Sequence, residues 1–490
     1  MEQKIKLNEQ KLNRAIAVFV LPFSLKSNAA ASLVDTLKKQ EYDEFKLDDL
    51  GLENKYYGDF EVSHENMEGY YLPFTNKILF PFSLGQEGFH RFSCRINVDC
   101  EYSSENFSMP FTVLSEDVTI CPFNVGFITV RVEVKENTDF SYVTEFIRQF
   151  RSLSPKKSNS SKIKIDCEGL SYSKVKDFLF KNLNSKVSDY FDKSNMEDSY
   201  FETFPFFEDD KMFVQSIFSF SDAGRIEKVE AFRAANLDGL SPKGTPAISS
   251  SNKGYIDRYI EVNGYDRWAP DTYYMVKEDH FSCVTIHTGE ELRPWVSQML
   301  GEYYYGMLLN LFHKIVLLKI ANSYSALKIE RDREKVEELI YVINSFTANY
   351  YFIELATESQ GRDIFLHLRE VFKIDEMHDD GKQTLNSLYK YQEAFADKKN
   401  SLLLLYLTLF TVISGIYGMN QVIEDLKGRI QWEKFRDYSL FEYIALFVTI
   451  SGMVVSVYLT VTTFLTWRKD KDKMKRWVER TNVAASERHK

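Results

Sequence analysis

Cysteine is scarce in this sequence and forms no pattern: Cys94, Cys100, Cys121, Cys167 and Cys283 are odd in number and include no CxxC pair. A disulfide framework and a zinc site are excluded as organising features, and a reducing cytosol suits the chain. Histidine is equally thin, 8 in 490 residues with no HExxH. No GxGxxG, Walker A loop or GxSxG elbow occurs, so the turns on which dinucleotide, phosphate and acyl-transfer chemistry depend are missing. The expectation is a protein that is not an enzyme and needs no organic cofactor. An excess of basic charge is lacking too: 61 Lys and Arg stand against 71 Asp and Glu, a net charge of −10. Direct nucleic-acid binding, which needs a basic face, is not expected. Cations remain possible partners.

The segment KLNRAIAVFVLPFSLKSNAAAS, starting at Lys11, has lysines, a short apolar run and an alanine triplet, the outline of a secretory signal. Pro22 and Lys26 interrupt it, and Ala15 to Phe23 reads as a buried β-strand.

What the chain does have is two long runs without charge. Mean hydropathy is −0.32, yet Leu402–Met419 and Tyr443–Trp467 contain no Asp, Glu, Lys, Arg or His. About 20 apolar residues span a bilayer at helical rise, so two transmembrane helices in a lipid bilayer are expected. Lys398 and Lys399 precede the first run, and Arg468, Lys469, Lys471, Lys473, Lys475 and Arg476 follow the second. The positive-inside rule then puts both termini in the cytoplasm of a multi-pass inner (plasma) membrane protein.

On a helix turning by about 100° per residue, Asp397, Ser401, Leu404, Thr408, Thr411 and Gly415 share one narrow stripe, with Asn400 beside it. Small, weakly polar groups in a line suit the wall of a pore; they equally suit close packing between helices. Asn420 favours the pore. Magnesium sheds its water reluctantly, and a ring of neutral amides from several subunits could hydrogen-bond the hydrated ion without trapping it. Glu424 and Asp425 would raise the local cation concentration.

Tyr417-Gly418-Met419-Asn420 closes the first of the two apolar runs, and a basic tail follows the second. In this the chain resembles the CorA family of divalent-cation (Mg²⁺) transporters and channels, well over its C-terminal part and in outline before it. The resemblance implies a homopentamer in which the first helices line the pore. Gly418, Met419 and Asn420 would form the selectivity ring, Asn420 meeting the hydrated metal, and a ligand on the cytoplasmic domain would gate it. Three departures stand out. The chain is longer before the stalk, the loop between the runs is longer, and the constriction positions hold Thr408, Asn400 and Asp397, which would wet a hydrophobic gate. The alternative implied function is that of the CorA-like subgroup associated with type III CRISPR systems: a membrane effector gated by a nucleotide second messenger such as an S-adenosylmethionine–AMP conjugate.

The expected organisation is a cytoplasmic α/β (or α+β) domain over 1–290 and a helical stalk over 291–400. The first transmembrane helix takes 401–420, an external loop 421–442, the second helix 443–467 and a basic tail 468–490. RAIAVFVLPF, GFITVRVEVK and KMFVQSIFSF read as strands, and FSYVTEFIRQFRSL as a helix. SPKKSNSSK at 154–162 and GLSPKGTPAISSSN at 239–252 read as surface loops. From Ile364 to Phe395 apolar residues recur at three-and-four spacing, lapsing at Met377 to Lys382. There His378, Asp379 and Asp380 form a regulatory cation site or a solvated turn. Tyr255, Arg258, Tyr259, Arg267 and Trp268 interleave rings with guanidinium groups, which suits a purine phosphate or ordinary packing.

Overall fold

A computed structural model of the chain describes residues 5, 7–153, 163–183, 186–192, 211–221, 224–327, 333–418 and 436–444, together with 446, 447, 450–452, 454, 458 and 461. The chain divides into two units, Met1–Lys382 and Gln383–Lys490.

The first unit is organised by one mixed sheet. Its strands are β1 (Lys11–Ser24), β2 (Asp43–Glu44), β3 (His90–Ser103), β4 (Ser108–Cys121), β5 (Val125–Val134), β6 (Thr138–Asp139), β7 (Lys164–Cys167), β8 (Leu170–Tyr172), β9 (Phe213–Phe220), β10 (Gly264–Tyr265), β11 (Thr272–Lys277) and β12 (His280–Thr285). They pair in the order β10-β11-β12-β9-β1-β5-β4-β3-β7-β8, with β2 on β3 and β6 on β1. Among the described residues only β9 and β12 pair in parallel; the other pairings are antiparallel. The runs expected as strands are β1, β5 and β9, whose β-branched and aromatic residues pack well on a pleated surface. Helices follow as α1 (Ala30–Lys39), α2 (His64–Tyr70), α3 (Pro73–Leu79), α4 (Phe140–Phe150), α5 (Val175–Asp177), α6 (Lys228–Asn236), α7 (Lys253–Asn263), α8 (Arg293–Leu300), α9 (Glu302–Ser325), α10 (Arg333–Asn349), α11 (Ser359–Val371) and α12 (Ile374–Gly418).

Helices cover both faces of the sheet. Against one lie α1, α4, α6 and α7, packed on Phe19, Phe111, Val118, Val130 and Val214. Against the other lies α9, with Tyr304 bonded to Thr129 of β5 and Tyr305 to Arg91 of β3. The helices expected to stand off as a stalk therefore begin on the sheet. Their stretch is also cut. Gly301 separates α8 from α9, where a Cβ would lie 2.8 Å from Val62 and 2.9 Å from the Ser297 carbonyl. Lys373, with φ of 57°, separates α11 from α12. The expected lapse at Met377 to Lys382 lies inside α12 and does not interrupt it.

A β-bulge sets which face each side chain meets. Val113 pairs with Val132 and Ser115 with Arg131, leaving Leu114 as the extra residue of β4. Before it, Met109, Phe111 and Val113 point at α4; after it, Val118 and Ile120 do. Because side chains alternate with period 2, one inserted residue exchanges the faces. Ser115, Asp117 and Thr119 are thereby turned toward α9.

The C-terminal expectation is corrected. The chain is a mixed α/β protein with a large sheet, and among the described residues no helix is long and apolar enough to cross a membrane. That overturns the fold class with two transmembrane helices, the description as a membrane protein, and the multi-pass inner-membrane location with both termini cytoplasmic. α12 carries charge up to Lys399, and among the described residues its charge-free part runs from Asn400 to Gly418. The second run starts as a helical turn in which Ser439 and Glu442 cap each other, the Ser439 N–H donating to Glu442 Oε2 at 2.6 Å.

Candidate functional site

The polar face of the sheet holds charges that solvent does not reach. Asp117, on β4, is fully buried between Arg91 of β3 and Arg131 of β5, with Oδ2 at 3.0 Å from Arg91 Nε and 2.6 Å from Arg131 Nη1. Tyr57 and Tyr305 accept from Arg91 Nη1 at 3.2 and 3.1 Å, and Ser93 accepts from its Nε. Burial opposes the charge on Arg91, yet Asp117 beside it displaces its pKa upward. Arg131 lies 5.2 Å from the ring centres of Tyr57 and Tyr304, while its Nε and Nη2 have no hydrogen-bond partner among the described residues. Sequence reading gave no hint of this group, because an Arg or Asp alternating with apolar residues looks like the solvated side of a strand.

The residues of the expected cation site lie at a joint between α11 and α12. His378 is buried and stacks on Tyr351, centroids 3.6 Å apart and planes at 12°. Arg369 lies 4.3 Å from the same ring centre, donates to the Phe352 carbonyl at 2.8 Å, and pairs with Asp375 at 2.7 Å. Asp379 and Asp380 point to solvent. Burial, then Lys382, lowers the pKa of His378. Among the described residues, no group of three or more His, Cys, Asp or Glu is placed to hold a metal ion. The start of α12 is thus fixed by an aromatic and ionic stack.

The expected ligand cluster divides into two. Tyr255, Arg258 and Tyr259 sit on α7, where Asn252 caps the first turn by accepting from the Tyr255 N–H, and Tyr259 meets Phe232 edge-on at 4.9 Å. Arg267 and Trp268 lie on the β10–β11 loop and dock on α11: Arg267 donates to Ser359 Oγ at 3.1 Å, and Trp268 Nε1 to Gln360 Oε1 at 3.0 Å.

Asp397, Asn400, Ser401, Leu404, Thr408, Thr411 and Gly415 all lie on α12 and are exposed in the single chain. Thr411 folds back to donate to the Leu407 carbonyl at 2.8 Å. Leu402, Leu403, Leu405, Leu407 and Leu409 are exposed as well, so the polar stripe is flanked by apolar side chains. Gly418 is the last residue of α12; Met419 and Asn420 lie outside the described residues, as do 421–435, 468–490 and the loop at 154–162. Beside Phe410, Gly452 of the second run sits close enough that a Cβ would meet the ring at 3.3 Å.

Cavities open among the described residues of the first unit on either side of the sheet. One, of about 260 Å³, lies on the α4 side of the sheet, lined by Gln40, Tyr42, Cys94, Glu116, Glu168 and Asn182. Glu116 is buried there and accepts from the Tyr42 hydroxyl at 3.0 Å, while Gln40 Oε1 is buried with no partner. The other, of about 370 Å³, lies between α9 and α10. No family model matches the chain, and no curated protein does.

Proposed function

We propose that several copies of this chain form a conduit for divalent cations, Mg²⁺ or a related ion, controlled by a ligand on the sheet domain, as the resemblance to CorA implies. One observation carries the reading: α12 presents an exposed polar stripe, from Asp397 to Gly415, between exposed leucines, and the sequence continues it into Tyr417-Gly418-Met419-Asn420. Leucines exposed in such number are covered by something. If neighbouring copies cover them, the stripes converge on a common axis and give weakly polar groups a purpose. Removal of the Asn420 carboxamide tests this. Asn420→Ala is expected to abolish saturable Mg²⁺ binding by the purified full chain in calorimetric titration while light scattering shows the same assembly. Unchanged Mg²⁺ binding, or a protein that stays a single subunit, defeats the reading.

A second reading, an antiviral effector opened by a nucleotide second messenger, is favoured by the cavity at Glu116. Its carboxylate, phenol and amide groups suit a ligand rich in N–H donors or positive charge, as the S-adenosylmethionine portion of an S-adenosylmethionine–AMP conjugate is. Calorimetric titration with that conjugate decides it: the effector reading expects saturable binding lost in Glu116→Gln, and no heat of binding defeats it.

A further inference from the structure

The second cavity carries an inference of its own. Lys319, on α9, lines it together with Phe123 and Asn124, the residues of the β4–β5 turn. Its ammonium donates to the carbonyls of Phe123 and Asn124 at 2.9 and 3.1 Å and to Ser24 Oγ at 3.0 Å. All three acceptors are neutral. No carboxylate pairs with Lys319 among the described residues; Asp192 acts on it only through space. Burial lowers its pKa to about 8, as expected of a cation held without a counter-ion. The turn it pins has φ of 59° at Phe123 and 54° at Asn124, a left-handed pair that explains the hydrogen bonds. It does not explain why no carboxylate among the described residues pairs with the ammonium, nor why a cavity lies beside it.

That space has apolar walls. Val316, Ile320, Leu327 and Leu339 supply them, and the two other charged groups of the lining, Lys335 and Glu338, offset each other. A cavity with apolar sides and an ammonium that no described carboxylate contacts fits a particular chemistry. We propose that it binds a small organic anion, with one carboxylate, sulfonate or phosphate group toward Lys319 and an apolar body against Val316, Ile320 and Leu339. Inorganic phosphate alone would gain the charge and lose the walls. A neutral aromatic would do the reverse.

Three probes separate these parts on the full chain: 1-anilinonaphthalene-8-sulfonate, neutral 1-anilinonaphthalene, and inorganic phosphate. The sulfonate is expected to bind at least about tenfold more tightly than its neutral analogue, since a charge-assisted contact is worth that much. Lys319→Gln is expected to erase the difference, and Ser323→Trp or Ala326→Trp, which add bulk at the wall, to weaken the sulfonate. Phosphate is expected not to displace it at millimolar concentration. Probe held on the exposed leucines of α12 is common to every variant and cancels in the comparison. The proposal is overturned if the unaltered protein binds both naphthalenes equally, a result independent of whether Lys319→Gln folds, or if both tryptophan variants leave the sulfonate's affinity unchanged.

Discussion

The two faces of the sheet are built on opposite principles. Toward α4 the contacts are rings and branched aliphatics: Phe19, Phe111, Phe146 and Phe150 meet at centroid distances of 4.8 to 5.8 Å. Such contacts are non-directional, so shape and volume decide their worth. Toward α9 the same strands offer Arg91, Ser93, Ser115, Asp117, Thr129 and Arg131, all buried. There each group depends on a named partner at a set angle, and loss of one strands the others. One sheet thus has a face that tolerates substitution and a face that does not.

The largest expected effect is at the centre of the polar face. Asp117→Ala leaves two buried guanidinium groups without their carboxylate and is expected to destabilise the protein by about 3–5 kcal/mol in chemical denaturation. Replacing Arg91, Asp117 and Arg131 together by Met, Leu and Met is expected to restore most of that loss, because no charge is then left buried. Equal instability of the single and triple variants would erase the distinction between the faces.

Next comes pH. Burial drives His313 of α9 down to about 3; its Nε2–H donates to the Tyr350 carbonyl, and Nδ1 has no partner to receive a second proton's hydrogen bond. The unfolded chain takes up that proton near 6.5 and the folded one does not, so stability is lost as pH falls from 6.5 toward 3. Glu302, at the start of α9, has the opposite sign: burial raises it to about 7, so the folded state keeps a proton that the unfolded chain releases near 4.5. Its contribution is lost as pH rises from 4.5 to 7. Glu302→Gln is expected to stabilise the protein by about 3 kcal/mol above pH 7 and to change little below pH 4.5. His280, held neutral between Ser216 and the Ala235 carbonyl and lowered to about 4 by burial, adds to the acid-side loss. Denaturation at pH 5 and 8 measures both limbs.

The smallest effect belongs to the apolar face. Ile128→Val removes one methylene group and is expected to cost about 0.5–1.5 kcal/mol, without pH dependence. A larger cost would mean that this face is as exacting as the other.

Much of the scaffold is legible in the residues. RAIAVFVLPF, GFITVRVEVK, KMFVQSIFSF and FSYVTEFIRQFRSL become β1, β5, β9 and α4, since period-2 and period-3.6 patterns report directly on faces that are buried. The polar face is illegible for the same reason: Arg131 in TVRVEV looks like the solvent side of a two-sided strand, and nothing local says that α9 covers it. The bulge at Leu114, which exchanges the faces of β4 part-way along the strand, leaves no mark in the residues. The helices after Arg293 are visible as helices but not as breaking at Gly301 and Lys373, where packing and a left-handed backbone decide. His378 looks like part of an acidic cluster until Tyr351, distant in sequence, stacks on it. On α12 the stripe is legible; the membrane helix inferred from its apolar end is not what the described residues form.

The strand made first lies in the middle of the sheet. Ala15 pairs with Val134 on one side and with Phe218 on the other, so β1 leaves the ribosome long before either neighbour exists. Pairings so distant along the chain fold slowly. Until Phe220 has emerged, an apolar strand waits with at least one edge open, a template for the wrong partner. Synthesis of this protein is therefore expected to lean on chaperones that hold its first two hundred or so residues apart, and a pause in translation after β9 would ease that need.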